Sequence, residues 1–156
     1  MHSRIIELSD SKIPAKERMT YSSVPEWFYG SVADYADDSR DRKGDIEWFI
    51  EALNGAATVN SLGKLIFQDD AKAKYFGERY ERFLENLKSL EGVTRDEFIG
   101  ISGDIGNKMF RLNEMFNDKF SMYIYYKGDL TPLDEWIRET NLRKGFFFGG
   151  TVDYHF

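Results

Sequence analysis

The sequence contains no cysteine and only two histidines, so it lacks most of the side chains that serve as nucleophiles and metal ligands. Without a thiol, the chain can form no disulfide, no thiolate zinc site and no cysteine nucleophile. Its histidines, His2 and His155, lie at the chain ends, where order is often poor. We therefore expect no histidine-based triad, no metal and no other cofactor, and the sequence favours binding over catalysis.

Long apolar runs are also missing. No stretch approaches the ~18 consecutive apolar residues of a transmembrane helix, and residues 1–10 lack the apolar run of a signal peptide. We therefore expect a cytoplasmic protein without membrane contact. The chain has three prolines and no repeat or low-complexity linker, which predicts one domain over residues 1–156. Residues 1–22 contain either a short first strand or an extended N-terminal arm.

The spacing of apolar residues predicts an α+β fold in which several helices pack on a small, mainly antiparallel sheet. The predicted helices cover about 24–37, 44–54, 70–91 and 104–116, followed by a short helix from Thr131. The predicted strands are a hairpin over 56–60 and 64–68, a strand over 120–126, and a C-terminal β-hairpin over 145–148 and 151–156. The dipeptide Gly149-Gly150 is typical of the tight turn in such a hairpin.

The negative charge is concentrated in one quarter of the chain. The net charge is −6 over 156 residues, and residues 21–60 hold eight acids against three bases, a net charge of −5. An anionic surface repels the phosphate backbone, so direct nucleic-acid binding is disfavoured. The same surface attracts a basic protein partner and accelerates its encounter. The alternative is that the charge only keeps the protein soluble.

Residues 37–45 have the composition of a calcium-binding loop, but not its spacing. Such loops need a glycine at position 6 and a bidentate acid at position 12. A loop that starts at Asp37 has Trp48 at position 12, and one that starts at Ser39 has Ile50 there. Two arginines and a lysine within the loop would also repel the cation. This segment is therefore not predicted to bind a metal.

The first predicted helix directs Phe28, Val32 and Tyr35 inward, which leaves its carboxylates on the surface. The loop and the helix that follow add further acids, and an exposed tryptophan lies among them. This surface of spaced carboxylates beside aromatic rings is the predicted partner-binding site. Its residues are Glu26, Trp27, Asp34, Asp37, Asp38, Asp41, Asp45, Glu47 and Glu51.

Spaced carboxylates beside aromatic rings can imitate a nucleic-acid backbone with its bases. The leading hypothesis is therefore a small acidic inhibitor, encoded by a phage or mobile element, that blocks the basic nucleic-acid-binding surface of a host defence enzyme. This would be an antirestriction or anti-CRISPR type of protein. One alternative is a toxin-neutralising immunity or antitoxin-like protein. A second alternative is a metal-dependent hydrolase or nuclease that uses aspartate or glutamate. The sequence favours no particular oligomeric state.

Overall fold

The computed structural model describes residues 1–100 and 103–156. Within these residues the chain forms seven strands and five α-helices. The strands are β1 (His2–Ser9), β2 (Tyr35–Asp38), β3 (Ala57–Val59), β4 (Lys64–Phe67), β5 (Tyr123–Tyr126), β6 (Asp129–Pro132) and β7 (Phe146–His155). The helices are α1 (Arg42–Ala52), α2 (Ala71–Glu91), α3 (Arg95–Ile99), α4 (Gly103–Phe116) and α5 (Leu133–Glu139). None of these helices is both long and apolar enough for a membrane-spanning segment.

The chain divides into two compact units, and all the described strands belong to the first. This unit comprises Met1–Tyr75 and Lys119–Phe156, and the second unit is Phe76–Asp118. The second unit holds most of α2 together with α3 and α4. At the start of α3, the Thr94 hydroxyl accepts from the Glu97 N–H at 3.2 Å, and Glu97 Oε2 accepts from the Thr94 N–H at 2.7 Å. This reciprocal cap fixes the N-terminus of the helix.

The sheet confirms the predicted α+β class and its mainly antiparallel character. Its strand order is β3-β4-β7-β1-β5-β6, and β2 also pairs with β7. The pair of β1 and β5 is parallel, and the other pairs are antiparallel. Residues 2–9 thus form a first strand that lies between β5 and β7. The single domain over residues 1–156 stays a prediction.

The glycines Gly149 and Gly150 do not form the predicted C-terminal turn, because they lie inside the ten-residue strand β7. Leu8 pairs with Phe148 and Ile6 pairs with Thr151, so both glycines lie opposite one residue of β1 in a β-bulge. A Cβ atom on Gly150 would lie 2.1 Å from the Met19 carbonyl oxygen. The glycines therefore permit close approach of another segment. The C-terminal third forms its hairpin from β5 and β6.

Two charged side chains satisfy the backbone around this bulge. Glu7 Oε2 accepts the N–H groups of Met19 at 2.7 Å and of Gly150 at 2.6 Å. Arg42 donates through Nε to the Gly149 carbonyl at 2.6 Å and through Nη2 to the Phe148 carbonyl at 3.1 Å. The other edge of β7 is shared by β4 near its start and β2 near its end. The Phe148 and Gly149 carbonyls lie between the part of β7 that pairs with β4 and the part that pairs with β2, and the Arg42 guanidinium supplies their donors.

The helix predicted over 24–37 is absent, and this prediction was wrong. The segment forms a 3-10 turn at Glu26–Phe28, a loop and then β2. Phe28 is fully buried, with its ring centroid 4.9 Å from that of Tyr123 and 5.0 Å from that of Tyr154. Further along the chain, pairing with β7 keeps the residues of β2 extended. Tyr35, predicted to be inward, is 52% exposed. Tertiary pairing therefore overrides the helical spacing.

The remaining predicted elements are present with small changes at their ends. The helices α1, α2 and α4 lie where apolar spacing predicted them, and the short helix predicted from Thr131 is present as α5 but begins at Leu133, because Thr131 and Pro132 belong to β6. The hairpin of β3 and β4 is confirmed. The predicted strand over 120–126 is reduced to β5. The turn after β5 uses Lys127 with φ 54° and Gly128 with φ 89°, the left-handed pair of a tight hairpin turn.

Glu7 gives a test of the bulge. Replacing it in Glu7→Ala leaves two main-chain N–H groups without their acceptor, so the free energy of unfolding should fall by about 2–5 kcal/mol. Glu7→Gln retains a carbonyl oxygen and should lose less than about half of that amount. Urea denaturation of the two variants and the wild type measures both values. Equal losses in the two variants would contradict the assigned role of the oxygen.

Candidate functional site

Near the chain termini, β2, β7 and β1 lie side by side and carry two rows of side chains on one face. Register pairs Tyr35 with His155 and His155 with His2. The Tyr35 and His155 rings stack at 5.1 Å with an interplanar angle of 5°, and the His2 ring meets that of His155 edge-on at 5.1 Å. His2 is therefore held in a strand.

The second row lies two residues along each strand, on the same face of the sheet. In this row Asp37 pairs with Asp153, and Asp153 pairs with Arg4. Arg4 Nη1 lies 2.6 Å from Asp153 Oδ1, and Arg4 Nε lies 2.5 Å from Asp45 Oδ1. The Arg4 guanidinium also lies 5.4 Å from the centroid of the Trp48 ring. One cation is thus shared by two carboxylates, and the third carboxylate, that of Asp37, adds to a negative surface.

Asp45 was predicted to lie on the partner-binding surface, and this prediction was wrong. Its side chain is 5% exposed and accepts a hydrogen bond from the Thr151 hydroxyl at 2.7 Å besides the bond from Arg4. Because α1 packs across β1 and β7, the carboxylate lies between helix and sheet. A buried carboxylate with two such partners is part of the packing of the fold.

Two exposed acids of the predicted surface also bind the main chain. Asp38 Oδ1 accepts the Tyr21 N–H at 2.7 Å, which joins β2 to the preceding segment. Asp41 caps α1 by accepting the Gly44 N–H at 2.9 Å. Such bonds restrict how these carboxylates can reorient toward a partner.

The structure brings together only part of the predicted set. Asp34 and Asp37 lie at the β2 edge, where Asp34 Oδ2 is 3.5 Å from His155 Nδ1 and its side chain is 75% exposed. Four further members are exposed but belong to other elements. Glu26 and Trp27 lie on the 3-10 turn at Glu26–Phe28, and Glu47 and Glu51 lie on α1.

The sequence prediction missed Asp153 and placed Tyr35 in the core. The signal for Asp153 was the alternation of residues 151–155, which places Thr151, Asp153 and His155 on one side of a strand. The same alternation along β2 places Tyr35 and Asp37 together. We define the acidic patch as Asp34, Tyr35, Asp37 and Asp153.

A second polar cluster lies where β1 and β5 end. Asp10 Oδ1 accepts the Tyr126 hydroxyl at 2.7 Å and lies 2.9 Å from Lys144 Nζ, while its Oδ2 lies 3.1 Å from Lys127 Nζ. The hydrogen bond from Lys144, followed by that from Tyr126, holds the pKa of Asp10 far below its ordinary value. The hydroxyl of Tyr126 also raises the pKa of Lys144. The cluster ties the end of β1 to the turn after β5.

In the described part of the chain, no three histidine, aspartate or glutamate side chains come together in a way that could hold a metal ion. Comparison with protein-family models, with curated proteins and with solved structures gave no match to the chain. The geometry of these residues therefore carries the functional inferences. It defines an α+β protein with an acidic, aromatic patch at the edge of its sheet.

The different surroundings of two acids give a matched test. Asp45→Ala removes the acceptor of Arg4 Nε and of the Thr151 hydroxyl, while Arg4 keeps Asp153, so the free energy of unfolding should fall by about 1.5–3 kcal/mol. Asp37→Asn removes a like charge opposite Asp153, so its effect should stay within about 0.5 kcal/mol of the wild type. Thermal and urea denaturation measure both. A large loss for Asp37→Asn would show that the patch is structural.

Asp10 gives a pH-dependent test. Because its pKa is lowered in the folded chain, the ionised carboxylate contributes stability above the pKa of the unfolded chain. That contribution is lost as pH falls through the folded pKa. Between about pH 4 and pH 2, the melting temperature of the wild type should therefore fall more steeply than that of Asp10→Asn. Parallel curves from circular dichroism would contradict the assigned ion pairs.

Proposed function

We propose that the chain is a small acidic binding protein that inhibits a nucleic-acid-acting enzyme by covering its basic surface. The observation that carries the proposal is the acidic patch, in which Asp37 and Asp153 lie opposite each other on neighbouring strands, and Asp34 and the exposed Tyr35 lie at the start of the same edge strand. Two of its three carboxylates are thus held on strands of the sheet rather than on a loop.

The clustering of the charges supports mimicry of a nucleic-acid strand. Asp37 lies in β2, and Asp34 lies at the bend just before it, where its carboxylate is 3.5 Å from His155 Nδ1. A nucleic-acid strand likewise presents closely spaced negative charges, about one every 3.4 Å along the axis of B-form DNA. Asp153 lies directly across from Asp37 and widens the array to a second strand of the sheet.

The electrostatics of the patch also favour binding of a cation. Like charges directly opposite each other on neighbouring strands are unfavourable, and Asp37 and Asp153 form such a pair. Arg4 compensates Asp153 at 2.6 Å. An arginine or lysine of a partner would offset the remaining repulsion, and the Tyr35 ring could stack against a guanidinium. Binding of this kind would be fast and sensitive to salt.

The biological setting belongs to the same proposal. A phage or mobile element would encode the protein, and the partner would be a cytoplasmic defence enzyme, as in antirestriction or anti-CRISPR inhibition. A toxin nuclease neutralised by an immunity-type protein would use the same patch. The identity of the bound partner distinguishes these two settings.

A charge-reversal pair tests the patch. The variant Asp34→Lys/Asp37→Lys is compared with Glu81→Lys/Glu85→Lys on α2, where both side chains are exposed and the change in net charge is the same. Affinity capture from a host lysate, followed by mass spectrometry, should show a nucleic-acid-acting enzyme with the wild type and the α2 variant. Duplex DNA should displace it, and the patch variant should retain less than about a tenth of it.

Two results would contradict the proposal. One is equal capture by the patch variant and the α2 variant, provided that both unfold at nearly the wild-type temperature. The other is a captured partner that duplex DNA and about 1 M salt fail to displace.

Asp38 and Asp41 are left unchanged because both accept main-chain hydrogen bonds. Replacing them would lower stability as well as change the charge, so a loss of binding could not be assigned to the charge alone.

A further inference from the structure

A cavity of about 370 Å³ in the first unit differs from the acidic patch in charge. It lies among the segment that follows β1, the first turns of α1, the hairpin of β3 and β4, and β7. Its volume falls within the range of small-molecule pockets. The cavity is lined by three cations and by apolar side chains that include Lys12, Arg18, Arg42, Leu62, Phe147 and Phe148.

The three cations face the cavity without a neutralising carboxylate in its lining. Among the described residues, no carboxylate forms an ion pair with Lys12, Arg18 or Arg42. Glu7, which lies outside the lining, offsets part of the charge of Arg42, and its Oε2 accepts two main-chain N–H groups. In a protein of net charge −6, such a local excess of positive charge is unexpected.

Each arginine has unused donors. Arg42 donates two N–H groups to the carbonyls of Phe148 and Gly149, which fixes the position of its guanidinium. Three of its five N–H donors remain. Arg18 Nε is buried and has no hydrogen-bond acceptor among the described residues. Burial lowers the pKa of Arg42, and the Arg18 charge lowers it further. The two guanidinium groups are thus close together and partly removed from water, which an anion would compensate.

The apolar part of the cavity wall indicates that the ligand also has an apolar portion. The Phe147 ring is half-buried, and the Nζ atoms of Lys12 and Lys64 lie 5.8 Å and 5.3 Å from its centroid. Leu62 is 66% exposed at the tip of the β3–β4 hairpin, beside the cavity. Cations at one side and apolar surface at the other suit a ligand that is anionic at one end and apolar at the other.

We infer that this cavity binds a small organic anion, in which a phosphate or carboxylate is joined to an apolar or planar body. The guanidinium of Arg18 and the ammonium of Lys12 bind the anionic group. Arg42 holds the cavity together through its bonds to β7. Phe147, Phe148 and Leu62 contact the body of the ligand. The inference does not depend on the proposed inhibition, because the acidic patch involves other residues.

Calorimetric titration with three probes tests the inference: inorganic phosphate, adenosine monophosphate and octanoate. At least one organic anion should bind about 10-fold or more tightly than phosphate, because only these probes bury an apolar body. Preference for adenosine monophosphate indicates a nucleotide-like ligand, and preference for octanoate indicates an aliphatic acid. Equal affinity for all three probes, or no binding by either organic anion, would overturn the inference.

Variants localise the binding. Arg18→Met and, separately, Lys12→Met should each weaken the preferred organic anion by about 10-fold or more, because each removes a charge-assisted contact. Lys88→Met on α2, an exposed site in the second unit, removes the same charge and should leave the affinity unchanged. Lys12 is exposed, so its variant remains informative if Arg18→Met unfolds. Unchanged affinity in Lys12→Met, or an equal loss in Lys88→Met, would overturn the assignment.

Discussion

The middle of β7 depends on two charged side chains, because its bulge interrupts the pairing with β1 and the other edge lies between β4 and β2. Glu7 accepts the N–H of Gly150, and Arg42 donates to the carbonyl of Gly149. An unpaired backbone group in this buried position would cost as much as a lost hydrogen bond. The two glycines are required because a Cβ atom on either would collide with Glu7 or with Met19.

Both candidate sites follow from this arrangement. Because β4 pairs only with the first residues of β7, the last residues of β7 are free to pair with β2. This pairing places Asp37 opposite Asp153 and forms the acidic patch. Arg42 is the first residue of α1, so its bonds to β7 fix the start of that helix and one wall of the basic cavity. The strand thus supports an anionic and a cationic surface within one unit.

The net charge of the chain describes neither surface. Asp45 belongs to the acidic quarter of the sequence, yet it is buried against Arg4 and Thr151 and contributes to packing. Arg42 belongs to the same quarter, yet it lines a basic cavity. Segment charges therefore locate an electrostatic feature along the chain, whereas burial and pairing decide which charges a partner meets.

The sequence by itself determined the elements whose signals are local. Helical spacing predicted α2 and α4, and the concentration of acids predicted a negative surface. Only the tertiary structure decided the rest of the site. Residues 24–37 have a helical pattern. However, burial of Phe28 and pairing of β2 with β7 stabilise the observed structure by more than the small free energy that helix propensity contributes. Asp153 joined the patch through a register between residues far apart in sequence, which no local pattern encodes.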